Sequence, residues 1–162
     1  MSTGVPKIMV VEMKLSTSPF SRSLKGIATL SDDSGAERAG IVLGLENYLT
    51  AEANLKIIKA ARSPAVQVYY DVYNSHVSRG HDPVREIKLL GRERICQVHL
   101  KEGGQRLGAS GKIDWPAVAA ALKEVGYAGW LVLETSSPSG NVANDTRANL
   151  EYARKTFAAI AG

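Results

Sequence analysis

Ile95-Cys96-Gln97-Val98-His99-Leu100-Lys101-Glu102-Gly103-Gly104-Gln105-Arg106 opens as an apolar run and changes character at His99. A strand buried in a core has no internal use for an imidazole followed by Lys, Glu, two Gly and Arg. The stretch reads as a strand that leaves the core and delivers polar groups at its carboxyl end. Three more apolar runs end the same way. Ile41-Val42-Leu43-Gly44-Leu45 stops at Glu46, Val66-Gln67-Val68-Tyr69-Tyr70 stops at Asp71, and Trp130-Leu131-Val132-Leu133 stops at Glu134.

Between these runs the spacing becomes helical. Thr50 is placed to cap a helix through Arg62, with Ala51, Leu55 and Ile58 on its inner face, and Ser63-Pro64 stops it. Asp82-Pro83 is an N-cap and first-turn pair, with Val84, Ile87 and Leu90 inward and Gly91 closing. Asp114 and Pro116 start the next helix. Val118, Ala121, Leu122 and Val125 repeat at i, i+3, i+4, i+7, and Gly126 ends it. Asn144 or Asp145 opens the last helix, with Leu150, Ala153, Phe157 and Ile160 as its apolar stripe.

From residue 40 the pattern is therefore strand then helix, four times over. Near-continuous apolar strands alternating with helices predict an α/β fold with a parallel sheet covered on both faces. Residues 1–39 are less regular. Lys7 to Met13 reads as one strand, Ser16 to Ser23 as a Ser/Pro-rich loop, and Leu24 to Ala39 as a broken helical pattern.

The chain has 162 residues, enough for one domain with a real core. A formal charge of +4 without a basic stripe is too weak to argue a nucleic-acid partner. The single Cys96 rules out an intramolecular disulfide and fits a reducing compartment. It lies in an apolar run and reads as a buried, inert thiol. The apolar run Ile8 to Val11 is too short to span a bilayer and is interrupted by Glu12. The expectation is a cytoplasmic protein with no membrane partner.

All strand carboxyl ends of a parallel βα array open on one face. Glu46, Asp71, His99 and Glu134, spaced 25, 28 and 35 positions apart, are therefore expected to converge. Three carboxylates and one imidazole form a hard, oxygen-rich set. It favours one divalent metal, Mn²⁺ or Mg²⁺, and also accommodates Co²⁺ or Zn²⁺.

Residues 40 to 160 resemble the carboxyl-terminal half of the xylose-isomerase-like TIM barrels, the sugar-phosphate isomerase/epimerase family. The resemblance rests on Leu43-Gly44-Leu45-Glu46-Asn47, Asp71-Val72-Tyr73-Asn74, Val98-His99-Leu100-Lys101-Glu102, Leu107-Gly108 through Gly111-Lys112-Ile113-Asp114-Trp115, and Gly129 through Glu134. It implies that Glu46, Asp71, His99 and Glu134 bind one metal ion, with Glu46 and Glu134 also the acid/base pair. It also implies a substrate contact from Arg106, with Lys101 beside it in the same loop. Asn74 stands where many members carry a histidine. Asn donates to a sugar hydroxyl but cannot titrate, which points toward members that act on pentulose phosphates rather than free ketoses. The Ser136–Asn141 loop offers backbone N–H groups to a phosphate.

The chemistry so implied is epimerisation or aldose–ketose isomerisation of a sugar or sugar phosphate through a cis-enediolate. One carboxylate removes a proton beside a carbonyl and a second returns it. A TIM barrel typically takes about 250 residues and eight strands. The expected architecture is therefore an incomplete barrel of four to five parallel strands. Residues 1–39 would be a separate N-terminal segment and 40–162 the C-terminal half of the barrel. Such a half exposes sheet edges, so a homo-oligomer is expected. A non-catalytic half-barrel remnant that oligomerises or binds sugar is the alternative. A relative of the abasic-site endonucleases needs more strand-end histidines than His76, His81 and His99 supply.

Overall fold

The computed structural model describes residues 10–14 and 35–160. Its elements are β1 (Val10–Lys14), α1 (Gly35–Ala39), β2 (Val42–Glu46), α2 (Ala51–Ala61), β3 (Val66–Asp71), α3 (Val72–Arg79), α4 (Pro83–Leu90), β4 (Ile95–Leu100), α5 (Trp115–Glu124), β5 (Trp130–Leu133) and α6 (Val142–Thr156). The strands form one sheet in the order β1-β2-β3-β4-β5, every neighbouring pair parallel. Strand order that follows chain order is the arrangement of consecutive staves of a βα barrel. The predicted α/β class and five-strand incomplete barrel match this sheet. The expected strand from Lys7 appears as Val10–Lys14; Lys7 to Met9 and the Ser16 to Ser23 loop lie outside the described residues.

The caps behave as their chemistry demands. Thr50 accepts the Ala53 N–H at 3.2 Å, and Asp82 accepts from Val84 and Arg85. Asp114 accepts from Ala117 at 3.0 Å. One element is missing from the sequence pattern and one reading needs correction. Helix α3 was not expected; it starts directly from Asp71, whose side chain caps it by accepting the Asn74 N–H at 2.8 Å. Its buried residues are Val72, Asn74 and Ser75, so no apolar stripe announces it. Helix α6 is capped by Asn141 and buries Asp145, Asn149 and Ala153, while Leu150 is left exposed. Polar side chains take the inner face there because partners await them, as described below.

The main core lies between β3, β4 and helices α4 and α5, around Ile87, Leu90, Val98, Leu100, Trp115 and Leu122. A smaller cluster of Leu45, Ile57, Ala61 and Val66 joins β2 to α2. The inner face of α2 therefore runs through Ala51, Ile57 and Ala61, with Leu55 and Ile58 at its margin. Glu86 on α4 is also buried. Its carboxylate accepts the Ala51 N–H at 2.8 Å, the Ser75 hydroxyl at 2.5 Å and the Tyr70 hydroxyl at 3.2 Å. One buried carboxylate so ties α2, α3, α4 and β3 together. Burial pushes the Tyr70 phenol well above its ordinary pKa.

Strands β2 to β4 are largely covered, but β5 is not. Trp130 is 65% exposed, and an open apolar groove of about 490 Å³ runs between β5 and α6. β5 is an edge of the described sheet, which is why its two faces are not both buried. No helix among the described residues is long and apolar enough to cross a membrane.

Candidate active site

Glu46 is the last residue of β2, Asp71 the last of β3, His99 the penultimate residue of β4, and Glu134 the first after β5. One ligand-type atom from each of the four lies within 4.8 Å of every other. Nδ1 of His99 is 3.4 Å from Glu134 Oε2, 3.6 Å from Asp71 Oδ2 and 3.8 Å from Glu46 Oε1. Glu46, Asp71 and His99 are buried and Glu134 is part-exposed, so the cluster has a closed floor and an open side.

Register makes this meeting. Val68 pairs with Ile95 but Tyr69 pairs with Gln97, so Cys96 is an extra residue in β4. Without it Asp71 would sit opposite Val98, and with it Asp71 sits opposite His99. The Cys96 thiol donates to the Val68 carbonyl at 3.3 Å, and burial pushes its pKa up to about 11. This is an inert thiol in a structural bulge. The His99 ring packs against Tyr69 at a tilt of 38°, with centroids 4.0 Å apart.

The neighbours hold the carboxylates. Asn74 Nδ2 donates to Glu46 Oε1 at 3.4 Å, while its N–H binds Asp71. Lys101 turns inward, with Nζ 3.2 Å from each oxygen of Glu134 and 3.6 Å from Asp71 Oδ2. Burial opposes ionisation of Asp71, but the His99 ring, the Asn74 N–H and the Lys101 ammonium outweigh it and hold its pKa below the usual value. Burial likewise opposes the charge on Lys101, and Asp71 and Glu134 outweigh it, so its pKa is raised.

Arg106 lies further along the β4–α5 loop and is clamped by Asp145 on α6. Its Nε and Nη2 donate to Asp145 Oδ1 at 2.6 and 2.5 Å. The Ser137 hydroxyl (2.7 Å), the Ser139 N–H (3.0 Å) and the Ser139 hydroxyl (2.8 Å) donate to Asp145 Oδ2. Of the backbone N–H groups expected to greet a phosphate from this loop, that of Ser139 donates to Asp145, that of Gly140 to the Ser137 carbonyl and that of Asn141 to the Ser139 hydroxyl. Ser137 first, then Ser139 and Arg106, hold Asp145 far below the ordinary carboxylate range against the cost of burial. A depressed carboxylate pKa contributes stability above its unfolded value, about 4, and that stability fades as pH falls below it. The wild type is expected to lose more melting temperature between about pH 5 and pH 3 than Asp145→Asn does. Parallel thermal melts check this.

Glu102 was not singled out by its position in the sequence. It is 2% exposed and accepts from Trp115 Nε1 at 2.6 Å, from the Gly108 N–H at 3.0 Å and from the Ser110 hydroxyl. It pins the β4–α5 loop to itself and to the start of α5. Gly103 (φ +55°) lets the loop pass Tyr73, whose ring a Cβ there would enter. Glu102→Ala strands three donors and is expected to cost about 2–4 kcal/mol, read by urea denaturation. Only the long-range fold shows why Glu102 and Asp145 matter. Each meets its partners across a loop, and no local spacing marks that.

The two remaining histidines lie outside the cluster. His76 places its ring nitrogens against the carbonyls of His81 (2.8 Å) and Lys112 (3.1 Å), and His81 Nδ1 faces Glu86 at 3.6 Å. Neither extends the four-residue group.

Comparison with known proteins bears on this geometry. The family model of the xylose isomerase-like TIM barrel matches residues 20–156. The chain belongs to that family. It is similar to the 2-epi-5-epi-valiolone 7-phosphate 2-epimerase of Actinoplanes sp., 31% identical over 160 residues, covering 94% of this chain and 58% of the relative. It is similar to the D-psicose 3-epimerase of Ruminiclostridium cellulolyticum, 25% identical over 115 residues, covering 69% of this chain and 39% of the relative. Among solved structures, the fold matches the IOLI protein with a bound zinc atom at a TM-score of 0.65. That match has 15% identity and covers 94% of this chain and 63% of that one. The chain spans about half the length of the curated relatives it matches.

Proposed function

We propose that this chain, with residues 40–162 forming the C-terminal half of a xylose-isomerase-like barrel, is a divalent-metal-dependent sugar or sugar-phosphate epimerase/isomerase. The observation that carries the reading is the convergence of Glu46, Asp71, His99 and Glu134 within 4.8 Å. Within it, Asp71 Oδ2 and His99 Nδ1 are buried without a hydrogen-bond partner. Buried polar atoms are nearly always satisfied, so two such atoms facing one point suit a cation between them. The oxygen-rich set favours Mn²⁺ or Mg²⁺ and accommodates Co²⁺ or Zn²⁺.

A divalent ion held there would supply Lewis acidity to a carbonyl and its neighbouring hydroxyl. The chain's own residues do the rest. Glu46 and Glu134 arrive from separate strands, β2 and β5, and are assigned to removing and returning the proton at the carbon beside the carbonyl. Asn74 orients Glu46 and offers its amide to a substrate hydroxyl. Arg106, made rigid by Asp145, is assigned to the substrate's distal end, with Lys101 nearer the reacting carbons. The names of the two curated relatives, both sugar-type epimerases, support the reaction class. Because Asp145 takes up the Ser137 and Ser139 donors, support for a phosphorylated substrate rests on the valiolone-phosphate relative, not on that loop.

The reading includes a cytoplasmic location and a homo-oligomer whose second copy covers the apolar edge at Trp130. Light scattering of wild type and Trp130→Lys tests the latter: a dimer that becomes a monomer is expected. The function itself is tested by incubating the metal-loaded protein with ketoses and ketose phosphates in deuterated water. Epimer formation or deuterium at the α-carbon is expected for one substrate class. A protein that binds Mn²⁺ yet exchanges no proton in any substrate is instead the non-catalytic half-barrel.

A further inference from the structure

We propose that Lys101 is a built-in cation that neutralises the carboxylate cluster in the metal-free protein and is displaced when a divalent ion binds. This rests on the metal reading above. Lys101 is the first residue after β4, two beyond His99, and both side chains reach Asp71 and Glu134. Its ammonium lies at equal distance, 3.2 Å, from the two oxygens of Glu134. It reaches a third carboxylate oxygen, Asp71 Oδ2, at 3.6 Å. Both of those acids belong to the four-residue group, and Asp71 Oδ2 is one of its buried atoms without a hydrogen-bond partner.

Three carboxylates gathered this closely repel one another, and a cation nearby relieves that repulsion. Lys101 supplies one from within the chain. Its position between Glu134 and Asp71 is also the position where a bound ion would share the same oxygens, so ammonium and metal exclude each other. The lysine can yield. Its side chain is 24% exposed on a flexible four-carbon stem, and the open Glu134 side of the cluster gives it a way out. Lys101 therefore stabilises the metal-free state and competes with the metal.

These two consequences have opposite signs, which a residue that merely packs would not produce. The test is calorimetric Mn²⁺ titration of metal-stripped wild type, Lys101→Met, Lys101→Gln and Lys101→Arg, each with its melting temperature in chelator. Both neutral variants are expected to bind Mn²⁺ roughly tenfold tighter than wild type while melting lower without metal. Lys101→Arg keeps the charge and is expected to stay near wild type in both readouts. Binding by the neutral variants alone also supports the proposal. Neutral variants with Mn²⁺ affinity equal to or weaker than that of a wild type that binds overturn the displacement and leave the metal reading intact. No Mn²⁺ binding by any of the four proteins overturns the metal reading, and the displacement with it.

Discussion

Asp71→Asn is expected to abolish saturable Mn²⁺ binding while leaving the protein folded. The reason lies in the two oxygens of Asp71. Oδ1 caps helix α3 by accepting the Asn74 N–H, and Oδ2 is the buried atom turned toward His99 and Lys101. Alanine would remove both, and the lost cap alone costs about 1 kcal/mol. Asparagine keeps a carbonyl oxygen for the cap and removes the charge. The two variants thus separate helix stability from ion binding. In wild type, Mn²⁺ at about 100 times its Kd stabilises the fold by about 2.7 kcal/mol through mass action. In either variant that gain is expected to vanish together with the saturable binding. Calorimetry with melting curves with and without Mn²⁺ measures both quantities. Saturable binding of undiminished affinity in Asp71→Asn would remove β3 from the site and with it the case for convergence.

Glu46→Gln and Glu134→Gln are each expected to lower epimerisation by about 10²- to 10⁴-fold at saturating Mn²⁺. An amide fills the same space but cannot carry the proton. The pair of variants also reports which face each glutamate serves. A protein that has lost only the returning acid still removes the proton and takes it back on the same side. It exchanges substrate hydrogen for solvent deuterium without inverting the carbon. One variant that exchanges without epimerising, and one that does neither, would assign the two roles for the substrate epimer used. Full turnover in either variant would free that glutamate from proton transfer. His99→Ala tests the same site from β4, and a fall in Mn²⁺ affinity measured by calorimetry is expected.

Much of this site was legible because of where its residues stand. A buried parallel strand writes itself as an apolar run, so the first polar residue after the run is visible. Glu46, Asp71, His99 and Glu134 were all found in that way, at the spacing of βα units. Helix α3 escaped because it buries Asn74 and Ser75 rather than an apolar stripe. Asp145 and Asn149 took the inner face of α6 for the same reason: Asn149 accepts the Leu107 N–H at 2.8 Å, and Asp145 holds Arg106. A hydrophobic pattern cannot announce a helix whose buried face carries polar side chains that meet distant partners.

The sequence by itself determined the α/β class, the parallel strands, the caps of α2, α4 and α5, and the four strand-end residues. These follow from local rules: near-continuous apolar runs in strands covered on both faces, helical spacing, and side chains that bond their own backbone three residues away. Only the tertiary structure decided which residues face one another. The extra residue at Cys96 brings His99 rather than Val98 beside Asp71. Lys101 turns into the cluster toward Glu134, 33 positions away, and Arg106 is held by Asp145, 39 positions away. Those pairings depend on strand register and on loops crossing the sheet's carboxyl face. Both are set by the packing of the whole domain rather than by any stretch of the chain.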